Sequence, residues 1–315
     1  MSLKQLNKSQ RAAVESNDGP VLIFAGAGSG KTRVLSHKMY YLIREEHYKP
    51  ENILSVTFTN KAAKEMKERV MKLLKTDNLP ITIGTFHSVC ARLLRVEAKH
   101  LNISPHFAIY DVQDQLDLLK VVLKGLNVSK DQLSPNHIRN QISYLKNKMI
   151  TPSTQLRKAR TILEKKVVEV YSAYQKALKE NDALDFDDLL LYPLELFDKH
   201  PKILAKYQKK WKYILVDEYQ DTNRPQFFFL TRLSESNEQI CVVGDDDQSI
   251  YGWRGADVTN ILDFEKFFPS CRIFTLEKNY RSTQQILDAA TAVVTHNDRR
   301  TKKTLVAENG SGELL

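Results

Sequence analysis

The sequence is poor in cysteine and contains no long apolar run. Its three cysteines, Cys90, Cys241 and Cys271, lie far apart with no C-x-x-C spacing, so neither a zinc site nor a disulfide framework is indicated and a reducing compartment fits. No stretch approaches the ~18 consecutive apolar residues that a bilayer span needs. The opening MSLKQLNKSQ lacks the apolar core of a signal peptide. A cytoplasmic protein with no membrane partner is expected.

What is present bounds the answer further. A length of 315 residues suggests about two domains, and 42% hydrophobic residues suffice for a sizeable core. Lys and Arg total 47 against 38 Asp and Glu, a net charge of +9. That balance favours an acidic partner such as nucleic acid, although a generally basic soluble protein would carry it too.

Short apolar, β-branched runs recur at 21–24, 53–59, 81–85, 213–216, 239–243 and 272–276, mostly separated by helical patterns. This alternation predicts a mainly parallel sheet covered on both faces, with ligands at the carboxyl ends of its strands. The interval from Pro105 to Leu184 breaks the rhythm: it has helical periodicity, many Lys and Arg residues and no convincing strand, with Pro135 and Pro152 marking helix boundaries. It reads as a helical insertion that makes the sheet domain discontinuous. Near the end, Gln284 to His296 reads as one helix, and LVAENGSGELL places an Asn-Gly turn between two short apolar segments, as in a hairpin.

The first run leads directly into AGAGSGKT at residues 25–32. The small residues Ala25, Gly26, Ala27, Gly28, Ser29 and Gly30 let backbone N–H groups turn around phosphate oxygens. Lys31 then reaches the β- and γ-phosphates, and the Thr32 hydroxyl sits on Mg²⁺. Arg33, which follows, joins the expected nucleotide-binding set. The competing G-x-G-x-x-G dinucleotide fingerprint would need its third glycine where Lys31 stands, which excludes it.

Two further loops follow later runs. Residues 213–218, YILVDE, end a buried strand in two carboxylates; Asp217 can hold Mg²⁺ and Glu218 can polarise an attacking water. Alone, the pair would pass for a surface turn, but with AGAGSGKT it completes a nucleotide triphosphatase site. In VVGDDDQSIYGWRGA at 242–256, Gln248 can hydrogen-bond a γ-phosphate or the water. Tyr251 and Trp253 offer faces for base stacking, and Arg254 lies beside them for a backbone phosphate. The aromatics could instead be core, a reading weakened by the flanking glycines and charges.

The combination of LNKSQ at 6–10, AGAGSGKT, VTFTNKAAKEM at 56–66, GTFHS at 84–88, VDEYQDTN at 216–223, VGDDDQSIYGWRGA at 243–256 and LEKNYRST at 276–283 resembles the UvrD/Rep/PcrA group of superfamily 1 DNA helicases. The resemblance implies that Gln10 reads the adenine edge and that Lys31, Thr32, Asp217, Glu218 and Gln248 take the roles given above. It implies a single-stranded DNA track through Phe58, Asn60, Lys61, Thr85, His87, Tyr251, Trp253 and Arg254; for Phe58, a place in the sheet core is the alternative. Tyr280 would stack on adenine and Arg281 would sense the γ-phosphate, unless residues 279–283 are an ordinary helix start.

The fold that this resemblance implies is α/β: a RecA-like P-loop NTPase domain at 1–105 and 185–272, an all-helical insertion at 106–184 facing DNA, and the beginning of a second RecA-like domain at 273–315. ATP and Mg²⁺ are the expected cofactors. Single-stranded DNA and its junctions with duplex are the expected partners, together with unidentified repair or replication loading proteins. The expectation is the N-terminal motor part of a 3′ to 5′ helicase, with the rest of the second domain missing after Leu315. Two alternatives stay open: the helicase part of a helicase-nuclease, and a nucleotide- and DNA-binding module without turnover.

Overall fold

The six apolar runs become the strands of one sheet in the computed structural model, which describes residues 2–129, 133–297 and 299–313. In chain order the strands are β1 (Val21–Ala25), β2 (Ile53–Thr57), β3 (Thr82–Thr85), β4 (Ala108–Tyr110), β5 (Ala183–Asp185), β6 (Tyr213–Val216), β7 (Ile240–Gly244), β8 (Arg272–Leu276), β9 (Lys278–Asn279) and β10 (Val306–Ala307). The large sheet has the order β3-β2-β6-β7-β1-β8, with parallel pairing throughout. Every residue of β1, β2, β6 and β7 is buried. Strands covered on both faces have no polar side, which is why they appear as mainly apolar runs without alternation; Ser55 of β2, also buried, turns its hydroxyl to Met66 Sδ at 3.3 Å.

Chain contacts divide the protein into two units. The first takes the chain up to Phe86, Ala205–Thr222 and the chain from Leu230 onward, and it holds the large sheet; the second takes His87–Leu204 and Asn223–Phe229.

In the first unit, α1 (Lys8–Glu15) precedes β1, α2 (Lys31–Arg44) follows it, and α3 (Asn60–Leu74) follows β2. Val34, Leu35 and Met39 of α2 and Met66 and Val70 of α3 join Ile23 and Leu215 in one core cluster; each fully buried side chain of this size contributes roughly 1.5–3 kcal/mol. Thr59 caps α3, its hydroxyl accepting the Ala62 N–H at 3.1 Å, a contact worth about 1 kcal/mol. Lys38 on α2 is wholly buried. Its ammonium donates to the carbonyls of Ala13 at 3.1 Å and Ser16 at 2.5 Å, fastening the C-terminal end of α1 to α2, and burial lowers its pKa to about 8.

The second unit is built mainly of helices, among them Val112–Gly125, Pro135–Asn147, Pro152–Lys158 and Ile162–Glu180. Pro135 and Pro152 stand at the first turns of their helices, after the caps Ser134 and Thr151, where a missing N–H costs nothing. The helical interval also contains two strands: β4 and β5 pair in parallel. Three residues each are too few to show an alternating pattern in sequence. The fully buried Lys146 ammonium lies 2.6 Å from Asp185 and 2.8 Å from Asp188, and the Tyr174 hydroxyl donates to Asp185 at 3.1 Å.

Helix Gln284–Val294 forms near the expected bounds. The hairpin does not: β10 pairs in parallel with β9, a partner nearly thirty residues upstream that local turn chemistry cannot announce. Leu314 and Leu315, the second apolar segment of that expectation, lie outside the described residues.

Candidate nucleotide site and nucleic-acid track

The order β6-β7-β1-β8 makes neighbours of four strands whose carboxyl ends lead into the Asp217-Glu218 pair, the Gln248 loop, the phosphate loop and the Tyr280-Arg281 segment. Parallel register levels those ends: Phe24 lies opposite Gly244, Ala25 opposite Leu276, and Val216 opposite Val242.

In the phosphate loop, Gly28 and Gly30 have φ of +74° and +93°, a region that residues with a Cβ rarely adopt. The loop carbonyls all point at donors. Gly26 O accepts from the Ser29 hydroxyl at 2.7 Å, Ala27 O from Asn279 Nδ2 at 2.5 Å, Gly28 O from Tyr280 N at 3.0 Å and Ser29 O from Gln10 Nε2 at 2.9 Å. The Ser29 N–H also bonds back to Gly26 O at 3.2 Å, which closes the turn. With these carbonyls engaged, the other loop N–H groups face the place for an anion at the positive end of α2.

Lys31 is buried and points across the sheet edge. Its ammonium is 2.9 Å from Glu218 Oε2 and donates to Gln248 Oε1 at 3.4 Å, so three residues from three loops meet. Glu218 has φ +50°, an uncommon value for a residue with a side chain and one that clusters at functional sites. Burial, reinforced by the neighbouring Glu218 charge, pushes Asp217 up to about 7. The same two causes raise Asp221 to about 6.

Mg²⁺ takes hard oxygen ligands, which are what the Asp217 carboxylate and Thr32 hydroxyl supply. A buried carboxylate whose negative charge is undercompensated is also the environment a divalent cation relieves. These residues therefore fit the ion.

Side chains outside the expected set hold this arrangement. Gln220 Nε2 donates to Glu218 at 3.0 Å, and its Oε1 accepts the Asp245 N–H at 3.0 Å, tying the β6 loop to the β7 loop. Gln248 Nε2 donates to Asp245. Asp245, Asp246 and Asp247 would together suit a metal, but the Lys303 ammonium lies 2.7, 2.7 and 2.8 Å from one oxygen of each. Arg300 adds two bonds to Asp247, at 3.0 and 2.8 Å. Three adjacent aspartates signalled a need for cations; the sequence did not say which.

Other expected nucleotide contacts are occupied within the protein. Gln10 is buried, with its oxygen accepting the Asn7 N–H at 3.2 Å in a capping box while its amide donates to Ser29. Asn7 in turn donates to the Tyr280 hydroxyl at 2.8 Å. Arg33 donates to the Gln5 carbonyl at 2.6 Å. Arg281 is exposed, its backbone N–H fixed by Asn279 Oδ1 at 2.8 Å.

At β2, the other half of the sheet, Phe58 is only half-buried and stacks on Tyr251 with ring centroids 4.9 Å apart. Trp253 is 75% exposed with the Arg254 guanidinium 4.5 Å above its ring. The two exposed faces thus form an aromatic-basic ledge, and Asn60 and Lys61 are exposed at the start of α3. Thr85 ends β3. His87 belongs to the second unit, where its ring lies 5.4 Å from Phe186 and burial lowers its pKa to about 4.

A family model described as the UvrD/REP helicase N-terminal domain matches residues 6–269. The ATP-dependent DNA helicase PcrA of Bacillus subtilis (strain 168) is 49% identical over 310 residues, covering 98% of this chain and 42% of that protein. The ATP-dependent DNA helicase PcrA of Staphylococcus aureus (strain Mu50 / ATCC 700699) is 48% identical over 313 residues, covering 99% and 43%. The chain spans less than half the length of these curated relatives.

Proposed function

The chain belongs to the UvrD/REP helicase N-terminal domain family, and on that premise we propose that it binds Mg-ATP and single-stranded DNA and carries the hydrolytic centre of a 3′ to 5′ DNA helicase. The observation that supports this most directly is the continuity of one loop. Gln248 touches Lys31, and three residues later Tyr251 stacks on Phe58. A displacement at the γ-phosphate can therefore move a base-stacking surface without an intervening element.

In this reading the Lys31 ammonium leaves Glu218 for the β- and γ-phosphates as the nucleotide enters. Glu218, freed, accepts a proton from the water whose oxygen attacks the γ-phosphorus while the bond to the β,γ-bridging oxygen breaks. Gln248 orients that water or the γ-phosphate, and Arg281 takes up charge from the outer side. Thr32 and Asp217 would hold Mg²⁺, which would supply neutralisation of the developing phosphate charge. Gln10 and Tyr280, linked through Asn7, border the place for adenine. Trp253 and Arg254 stack a base and hold a backbone phosphate.

ATP turnover measured on this chain and on the full-length Bacillus subtilis relative, with and without single-stranded DNA, tests the proposal. Stimulation by DNA is the expected result. Nucleotide binding without turnover in both would instead support a binding module, and no nucleotide binding in either would refute the site.

A further inference from the structure

Asn279, at the end of β9, is almost fully buried and spends its amide on two separate elements. Its Nδ2 donates to Ala27 O at 2.5 Å, in the phosphate loop. Its Oδ1 accepts the N–H groups of both Arg281 and Ser282 at 2.8 Å. The next residue extends the contact, since Tyr280 N donates to Gly28 O at 3.0 Å. This approach requires glycine at 28: a Cβ there would sit 2.6 Å from Arg281 Cβ and 2.8 Å from Asn279 Nδ2. Leu305, just before β10, closes similarly over Gly26, where a Cβ would fall 2.8 Å from its Cδ1.

We propose that Asn279 is a positioning residue that couples the shape of the phosphate loop to the backbone carrying Arg281. The proposal rests on the nucleotide-site reading above. Holding Ala27 O outward keeps the loop N–H groups turned to the phosphates. The same amide fixes the turn from which Arg281 projects. A shift of the loop on nucleotide entry is then transmitted through one rigid planar group, and Asn279 itself needs no contact with the nucleotide. Only an amide serves both ends. An aspartate has the same shape and still accepts the Arg281 and Ser282 N–H groups, but it sets a carboxylate oxygen against Ala27 O.

The test measures the affinity of a non-hydrolysable ATP analogue with Mg²⁺ for the wild-type chain, Asn279→Asp, Arg281→Ala and the double variant. Asn279→Asp is expected to weaken binding about tenfold, the usual size for losing a buried hydrogen bond and leaving its acceptor facing a charge. The double variant is expected to be no weaker than the weaker single variant, because the two changes break one linkage. Wild-type affinity for Asn279→Asp, or losses that multiply independently, would overturn the proposal. A wild-type chain that binds no nucleotide would remove the site reading and this inference together. If Asn279→Asp does not fold, hydrogen exchange on the wild-type chain decides: saturating Mg-ADP should slow exchange at the Arg281 and Ser282 amides several-fold, and unchanged exchange there alongside protection of the phosphate loop would refute the coupling.

Discussion

Lys31 and Glu218 hold each other 2.9 Å apart at the carboxyl edge of the sheet, so the cation meant for phosphate and the base meant for water are paired with one another. Glu218→Gln removes the charge that competes for Lys31. The variant is expected to bind Mg-ATP more tightly than the wild type while kcat falls by about 10²–10⁴, the usual contribution of a general base. Equilibrium binding and steady-state hydrolysis check both halves. Lys31→Ala, by contrast, is expected to abolish DNA-stimulated hydrolysis, and persistent turnover would show the phosphate-loop assignment to be wrong.

The ledge formed by Trp253 and Arg254 gives a complementary outcome. Trp253→Ala is expected to weaken single-stranded DNA binding by roughly 1–3 kcal/mol, the value of one lost base stack, and to leave nucleotide affinity near that of the wild type. Fluorescence anisotropy with a labelled oligonucleotide, set beside nucleotide titration, separates the two. Equal loss in both would mean that Trp253 supports the fold.

Lys303 neutralises three buried or half-buried aspartates at once, with its own side chain only 3% exposed. Lys303→Met leaves those carboxylates without their central cation, and a loss of about 3–5 kcal/mol in stability is expected from uncompensated buried charge. Denaturant unfolding of the two proteins measures it. Lys303→Arg should recover part of the loss, since the charge returns with altered geometry.

His87 makes the second unit sensitive to acid. Its folded pKa is lowered by burial to about 4 from 6.5, so between these values the unfolded chain binds the extra proton. Stability from this group is therefore complete above pH 6.5 and lost as the pH falls toward 4. The loss is bounded at about 3 kcal/mol by the size of the shift, and partial exposure reduces it. His87→Gln, which cannot titrate, should flatten the pH dependence of the unfolding midpoint over that interval, and an unaltered slope would exclude His87 as the cause.

Lys146 anchors the second unit more strongly. Burial and the Asp185 charge raise Asp188 to about 7, and Lys146 is the cation that both carboxylates share. Lys146→Met is expected to cost about 3–5 kcal/mol, visible as earlier unfolding of this unit in hydrogen exchange.

Much of the fold was legible because its signals are local. Three of the four central strands, β1, β6 and β7, carry apolar runs, since parallel strands buried on both faces need no polar side, and β2 departs only at Ser55 and Thr57. Loops that bind phosphate need glycine at positive φ, and Gly28 and Gly30 carry that need openly. The short pairs β4-β5 and β9-β10 were illegible for the opposite reason: two or three residues show no period, and their partners lie far away in sequence.

By itself, then, the sequence determined which residue types the chemistry requires: a lysine after a glycine turn, two carboxylates at a strand tip, and a glutamine leading into exposed aromatics. Tertiary structure alone decided which of them meet. The strand order sets β6, β7 and β1 side by side, bringing Glu218 and Gln248 to Lys31 from about 190 and 217 residues away. It also gave Asn279 to Ala27 and Lys303 to the three aspartates. Such partnerships depend on distance in space and on burial, which makes an unmet hydrogen bond or charge costly, and neither is a property of residues read one after another.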